Sequence, residues 1–297
     1  MGKPNTAEGY ENVVTESCER VLVTLLRGLG PWKDSVYLIG GLTPRYLVAA
    51  RPPAVPPHAG TGDVDIVIEL EMLAETEAYH SLEENFKKLG FERAENYRGE
   101  KVSWRWQAKT ESGMRIILEL LADDPEAGGG RVKELPTAGN ISALNIPHSS
   151  IVFDHHLVKE VSAQLLGEDG VATENIRHAD LVSFICLKAY ALDQRHERKD
   201  AHDLVYCLEH GDGGLDAAAQ AFRKARVGKH AHVIEEALGI LAKHFSDDSK
   251  TEGYQKDGSV AVAKFELGDQ AESREARILR QRQVSELIMR LLEALRT

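Results

Sequence analysis

Gly62-Asp63-Val64-Asp65-Ile66-Val67-Ile68 is the stretch on which the fold turns. Its residues alternate as those of a half-buried strand do. Successive strand side chains point to opposite faces, so Val64, Ile66 and Ile68 share one face and Asp63, Asp65, Val67 and Glu69 the other. Two carboxylates therefore stand on one side of an apolar strand, about 7 Å apart along the backbone. Like charges held that close repel unless a cation lies between them. Mg²⁺ or Mn²⁺, which prefer oxygen ligands, match such a pair. A solvated strand end carrying a common Asp-x-Asp is the plain alternative.

Upstream, Tyr10 to Leu29 repeats apolar residues at helical spacing (Val14, Cys18, Val21, Leu22, Leu25) and ends at glycines and Pro31. A short β-like run, Ser35 to Ile39, leads into Gly40-Gly41, and Thr43 to Ala50 reads as a short helix with Thr43 as N-cap. A strand that ends in glycines and hands over to a helix suits a phosphate, because backbone N–H groups approach closely there. It suits an ordinary tight turn equally. Arg51 to Gly62 is a Pro- and Gly-rich loop.

Downstream, the pattern predicts a helix over Leu73–Leu89, a strand over Lys101–Ala108, a turn at Ser112-Gly113 and a buried strand over Met114–Leu121. Trp104 and Trp106 share one face of the first strand; they suit stacking on a base, and core packing is the plainer reading. Glu119 interrupts the second strand on the face opposite Ile116, Leu118 and Leu120. Beside Asp63 and Asp65 it would be a third carboxylate, as a general base or in a metal shell. Paired with Arg115 on an edge strand it would be structural, and Asp123 is the other candidate for the third acid.

Beyond Pro147 the chain reads as mostly helical: Asp180–Leu192, Lys199–His210, Leu215–Arg226, Lys229–Phe245 and, after a polar linker over 247–258, Gln270–Arg296. Ile151–Leu165 retains some strand character. The expected architecture is thus an α/β (α+β) domain over 1–147, a mixed sheet with flanking helices, and a helical domain over 148–297. In the helical part, Lys188 sits in an apolar run, and Asp200 and Asp203 share one helix face. The arginines of the last helix alternate with glutamates, as on a solvated amphipathic helix.

The net charge of −11 argues against nonspecific duplex-DNA binding. Three cysteines without Cys-x-x-Cys spacing argue against a disulfide framework or a structural zinc site. No apolar run approaches a membrane span, and no signal peptide is visible at the start, so the cytoplasm is the expected location.

Gly40-Gly41, Asp63-Val64-Asp65, Glu119, Lys188 and Lys199-Asp200-x-x-Asp203 follow one another in an order that resembles the nucleotidyltransferase superfamily, in its AbiEii/AbiGii toxin-like branch. That branch includes toxins of toxin–antitoxin systems. The resemblance spans about Tyr37 to Leu208. It implies a mixed sheet of the nucleotidyltransferase type and transfer of a nucleotide monophosphate from an NTP, such as ATP, to an acceptor hydroxyl on RNA, protein or a small molecule. It implies that Asp63, Asp65 and Glu119 hold Mg²⁺ or Mn²⁺, with Glu119 activating the acceptor. It further implies that Gly40 and Gly41 cradle the triphosphate, that Lys188 contacts triphosphate or ribose, and that Asp200 orients it. The family places Ser or Thr directly after the glycine pair; here Leu42 stands there and Thr43 follows, and Arg45, one turn on, suits either a further phosphate ligand or a plain surface charge. The competing expectation is a catalytically weak binding module of the same fold, acting with a cognate partner protein in a toxin–antitoxin or phage-defence pair.

Overall fold

The structure, a computed structural model, describes residues 4–75, 81–96, 98–247 and 257–296. The chain divides into two compact units. Unit 1 comprises residues 1–11, 44–59 and 181–297, and unit 2 comprises 12–43 and 60–180. The boundary expected after residue 147 falls instead at 180, because two further strands complete the sheet first. Residues 1–11 and 44–59 also join the helical unit, which a simple two-part division does not provide for.

Unit 2 holds the sheet. Its strands are β1 (Val36–Ile39), β2 (Asp63–Ile68), β3 (Glu92–Glu95), β4 (Lys101–Lys109), β5 (Arg115–Ala122), β6 (Val132–Glu134), β7 (Ser142–Asn145), β8 (His156–Gln164) and β9 (Val171–Ala179). They run in the order β3-β4-β5-β2-β1-β9-β8, with β7 paired to the end of β5 and β6 to β7. The sheet is mixed: β2 runs antiparallel to β1 and parallel to β5, and β1 runs parallel to β9. The helices of unit 2 are α1 (Asn12–Leu29), α3 (Leu70–Glu75), α4 (Leu82–Lys88) and α5 (Ile151–Asp154), while α2 (Pro44–Leu47) belongs to unit 1. The helix predicted over Leu73–Leu89 is represented by α3 and α4, and residues 76–80 lie outside the described ones.

One face of the sheet is a packed core. Val64, Leu118 and Trp106 align across β2, β5 and β4 and are wholly buried. Phe86 of α4 packs on Trp106 with ring centroids 5.0 Å apart, and Leu89 lies on Gly28 of the neighbouring α1. Trp106 is thus a packing residue on the helix-covered side, while Trp104 is half-buried. The α4 helix starts with a capping box, Ser81 and Glu84 each bonding the other's backbone N–H. The opposite face carries Asp63, Asp65 and Val67 of β2, and Tyr37 of β1 joins that row with its ring 5.0 Å from Phe153 of α5.

Unit 1 is helical: besides α2 it holds α6 (Leu181–Arg195), α7 (Arg198–His210), α8 (Gly214–Ala225), α9 (Ala231–His244), α10 (Asp257–Leu267) and α11 (Arg274–Ala294). Phe184, Ile185, Leu204, Leu208, Phe265, Val284, Ile288 and Leu291 form its core. The apolar stripe of α11 begins at Val284, since Ile278 is exposed. Most of the linker read over 247–258 lies outside the described residues, and α10 was not anticipated.

Candidate functional site

Strand register brings the acidic residues together. Asp65 pairs with Ile39 of β1 on one side and Glu119 of β5 on the other, and Glu119 pairs in turn with Arg105 of β4. Residues paired across strands point to the same face, with strands about 4.8 Å apart. Asp63, Asp65 and Glu119 therefore share one face at adjacent positions, as the alternation in the sequence required. β5 lies between β2 and β4, so Glu119 is not on an edge strand. Arg105 of the neighbouring strand is an ion-pair partner, its Nε 3.0 Å from Glu119 Oε1. Asp123 is engaged elsewhere: its Oδ2 accepts from the Ser150 backbone N–H at 3.1 Å and from the Ser150 hydroxyl at 2.5 Å. Of the two candidates for the third acid, Glu119 is the one beside Asp65.

The glycine turn closes on the same spot. Gly40 has φ +74°, and a Cβ placed there would fall 2.0 Å from Asp65 Oδ2. The Asp65 carboxylate is therefore seated against bare backbone, and no other residue fits the position. Gly40→Ala is expected to cost about 1–2 kcal/mol from the left-handed backbone alone. It is also expected to push Asp65 aside and to abolish any rise in melting temperature caused by Mg²⁺. Thermal melts of both proteins with and without Mg²⁺ check this; an undiminished Mg²⁺ shift in the variant contradicts it.

Asp63 is buried, and its Oδ1 accepts the Thr61 hydroxyl at 2.8 Å. Thr61 is itself fixed by α1, because its N–H donates to Thr15 Oγ1 at 3.0 Å and its carbonyl accepts Cys18 Sγ–H at 3.7 Å. Burial raises the pKa of the Cys18 thiol, and the negative charges of Asp63 and Asp65 raise it further. Cys18 thus stays a protonated packing residue.

These donors suit Mg²⁺: hard oxygens on one face, beside a glycine that leaves room for the carboxylate. The rest of the turn is less open. Gly41 is buried, and Thr43 is wholly buried with its hydroxyl unbonded and its N–H given to the Gly40 carbonyl. Thr43, expected at a phosphate, therefore presents no hydroxyl to a ligand in this conformation.

The other expected residues lie in unit 1. The backbone carbonyl of Arg45 accepts from Arg51 at 3.0 Å. Lys188 points inward from α6 and is buried; its ammonium donates to Asp200 Oδ1 at 2.9 Å and Asp203 Oδ2 at 2.7 Å. Arg195 grips Asp200 with two bonds of 2.6 and 2.8 Å, and Lys199 reaches both oxygens of Asp203 at 2.7 Å. His58 Nε2 adds a contact to Asp203 Oδ1 at 2.9 Å. His58 comes from the Pro-rich segment, which Tyr206 pins by donating its hydroxyl to the Pro56 carbonyl at 3.0 Å. Nothing in the loop sequence distinguished that histidine.

Charge pairing decides the protonation states in this network. Burial disfavours the charged form of Asp200, but Lys188 and Arg195 outweigh it and hold the carboxyl down at about 2. Burial likewise opposes a charged Lys188, yet Asp200 and Asp203 raise its pKa above the ordinary lysine value. Because the folded pKa of Asp200 lies below its ordinary 3.8, its contribution to stability is full above that pH and fades as pH falls toward 2. The loss is about 2 kcal/mol. Denaturant titrations from pH 5 to pH 2 are expected to show a shallower pH dependence in Asp200→Asn than in the parent chain; equal slopes contradict the assignment.

Among the described residues no helix is long and apolar enough to cross a membrane. No family model matches the chain, and no curated protein matches its sequence.

Proposed function

We propose that the chain is a Mg²⁺-dependent nucleotidyltransferase whose reaction centre is the acidic face of the unit 2 sheet. The observation that carries the reading is the register of Asp65 with Glu119, with Gly40 closed on the Asp65 carboxylate. Asp63 and Asp65 would hold the metal, Glu119 would complete the acidic set, and the Gly40 turn would take the triphosphate on its backbone. Mg²⁺ or Mn²⁺, when bound, neutralises charge on the phosphates. The acceptor hydroxyl oxygen bonds to the α-phosphorus, the bond to the pyrophosphate oxygen breaks, and Glu119 takes the hydroxyl proton. Arg105, whose Nε is 3.0 Å from Glu119, sets a positive charge beside that carboxylate. The reading draws on unit 2 alone, because Lys188 and Asp200 are accounted for by the ion network of unit 1.

The buried Thr43 and the ion-paired Glu119 favour a second reading: a module of the same design that binds a partner protein of a toxin–antitoxin or phage-defence pair with little turnover. Incubation with each α-³²P-labelled NTP, Mg²⁺ and total cell RNA or protein separates the two. The enzyme transfers label to one of these pools, and Asp65→Asn does not. Absence of transfer with every NTP from folded, metal-loaded protein favours the binding module.

A further inference from the structure

We propose that His58, His202 and Asp203 of unit 1 form a binding site for a transition-metal dication of the Zn²⁺ class. One ligand-capable atom from each of the three lies within 4.8 Å of the other two. Two of them are already closer, with His58 Nε2 2.9 Å from Asp203 Oδ1. Bonds of about 2.0–2.2 Å to such an ion hold its ligands about 3.3–3.5 Å apart, so the ion would replace the His58 Nε2 proton, open that pair by about half an ångström and draw His202 in.

The second observation is independent of that spacing. His202 is 6% exposed, and its Nε2 is buried with no hydrogen-bond partner. Its Nδ1 faces Glu266 Oε1 at 3.1 Å. Arg280 holds Glu266 through bonds of 2.6 and 3.0 Å and clasps Glu209 at 2.6 and 2.8 Å. A carboxylate fixed in this way accepts, so the proton sits on Nδ1 and the lone pair on the orphaned Nε2. A carboxylate that orients one nitrogen of a histidine whose other nitrogen meets a metal is the usual outer shell of an imidazole ligand. A buried acceptor with nothing bonded to it asks for an occupant.

The donor set identifies the class of ion. Two imidazoles and one carboxylate suit Zn²⁺, Co²⁺ or Ni²⁺ rather than Mg²⁺. Lys188 and Lys199 share the Asp203 carboxylate and repel a dication, which makes the imidazoles the principal ligands. Of the three residues, His202 lines a cleft of about 500 Å³ in unit 1, together with Pro56, Pro57, Tyr206 and His210.

Cobalt titration of the full chain, stripped with EDTA, tests the site. One equivalent of Co²⁺ is expected to give visible d–d bands of a low-coordinate nitrogen–oxygen site, displaced by Zn²⁺ and not by Mg²⁺. His202→Ala and His58→Ala are each expected to weaken binding at least tenfold, while Asp63→Asn/Asp65→Asn leaves it unchanged. Circular dichroism in EDTA confirms that each variant is folded; if His202→Ala is not, His58→Ala and Glu266→Gln carry the comparison. Absence of the bands, or equal binding by the folded histidine variants, overturns the proposal and leaves His202 Nε2 bonded to water only.

Discussion

Asp63→Asn is expected to lower Mg²⁺-dependent nucleotidyl transfer about a thousandfold, since a metal contributes several kcal/mol to a phosphoryl transition state and each 1.36 kcal/mol is tenfold in rate. Asparagine keeps an oxygen for the Thr61 hydroxyl, which Asp63 Oδ1 accepts at 2.8 Å, so the local bonding survives. What the substitution removes is one of two negative charges set on the same face of β2. In EDTA two like charges on one face oppose each other, so the variant is expected to melt no lower than the parent chain. With Mg²⁺ the order reverses, because only the parent gains stability from ion binding. Rates measured by transfer of labelled nucleotide and melts run with and without metal check both halves. Retained activity contradicts the catalytic assignment, and an equal Mg²⁺ shift in the variant contradicts the metal assignment.

Lys188→Met is expected to destabilise unit 1 by about 3–5 kcal/mol, the usual cost of removing one partner from a buried ion network. The substitution strands two buried carboxylates, Asp200 at 2% and Asp203 at 0% exposure. Arg195 and Lys199 remain, but Lys188 is the group that bridges both acids. Methionine fits the space, so the cost is electrostatic rather than a cavity. Removing one of the stranded charges returns part of the loss: Lys188→Met/Asp203→Asn is expected to cost less than the sum of its single variants. Urea unfolding of the four proteins measures the coupling; a Lys188→Met effect below about 1 kcal/mol, the range of an exposed ion pair, contradicts the account.

The candidate site was legible where a residue's position in a strand fixes its direction. Alternation in β2 put Asp63 and Asp65 on one face, and alternation in β5 put Glu119 opposite Leu118; the ladder then set Glu119 beside Asp65. What a single strand does not encode is its neighbour, so the partner of Glu119, Arg105 of β4, was not foreseen. Short or charged strands were missed for a related reason. Glu92–Glu95 is strongly polar and sits at the sheet edge, and Val171–Ala179 exposes much of one face; both owe their form to the ladder rather than to their own apolar period. Missing the second of these placed the domain boundary at 147 instead of 180. Lys188, Asp200 and Asp203 stood out by type and spacing. His58 did not, because its place depends on Tyr206 holding Pro56, a contact 150 residues apart in sequence.

Titration of the full chain with Mn²⁺, read as loss of the free-ion electron paramagnetic resonance signal, is the most direct trial of the acidic face. The account predicts saturable binding that Mg²⁺ displaces and that Asp63→Asn/Asp65→Asn weakens at least tenfold. Identical Mn²⁺ curves for the parent chain and that double variant would contradict it.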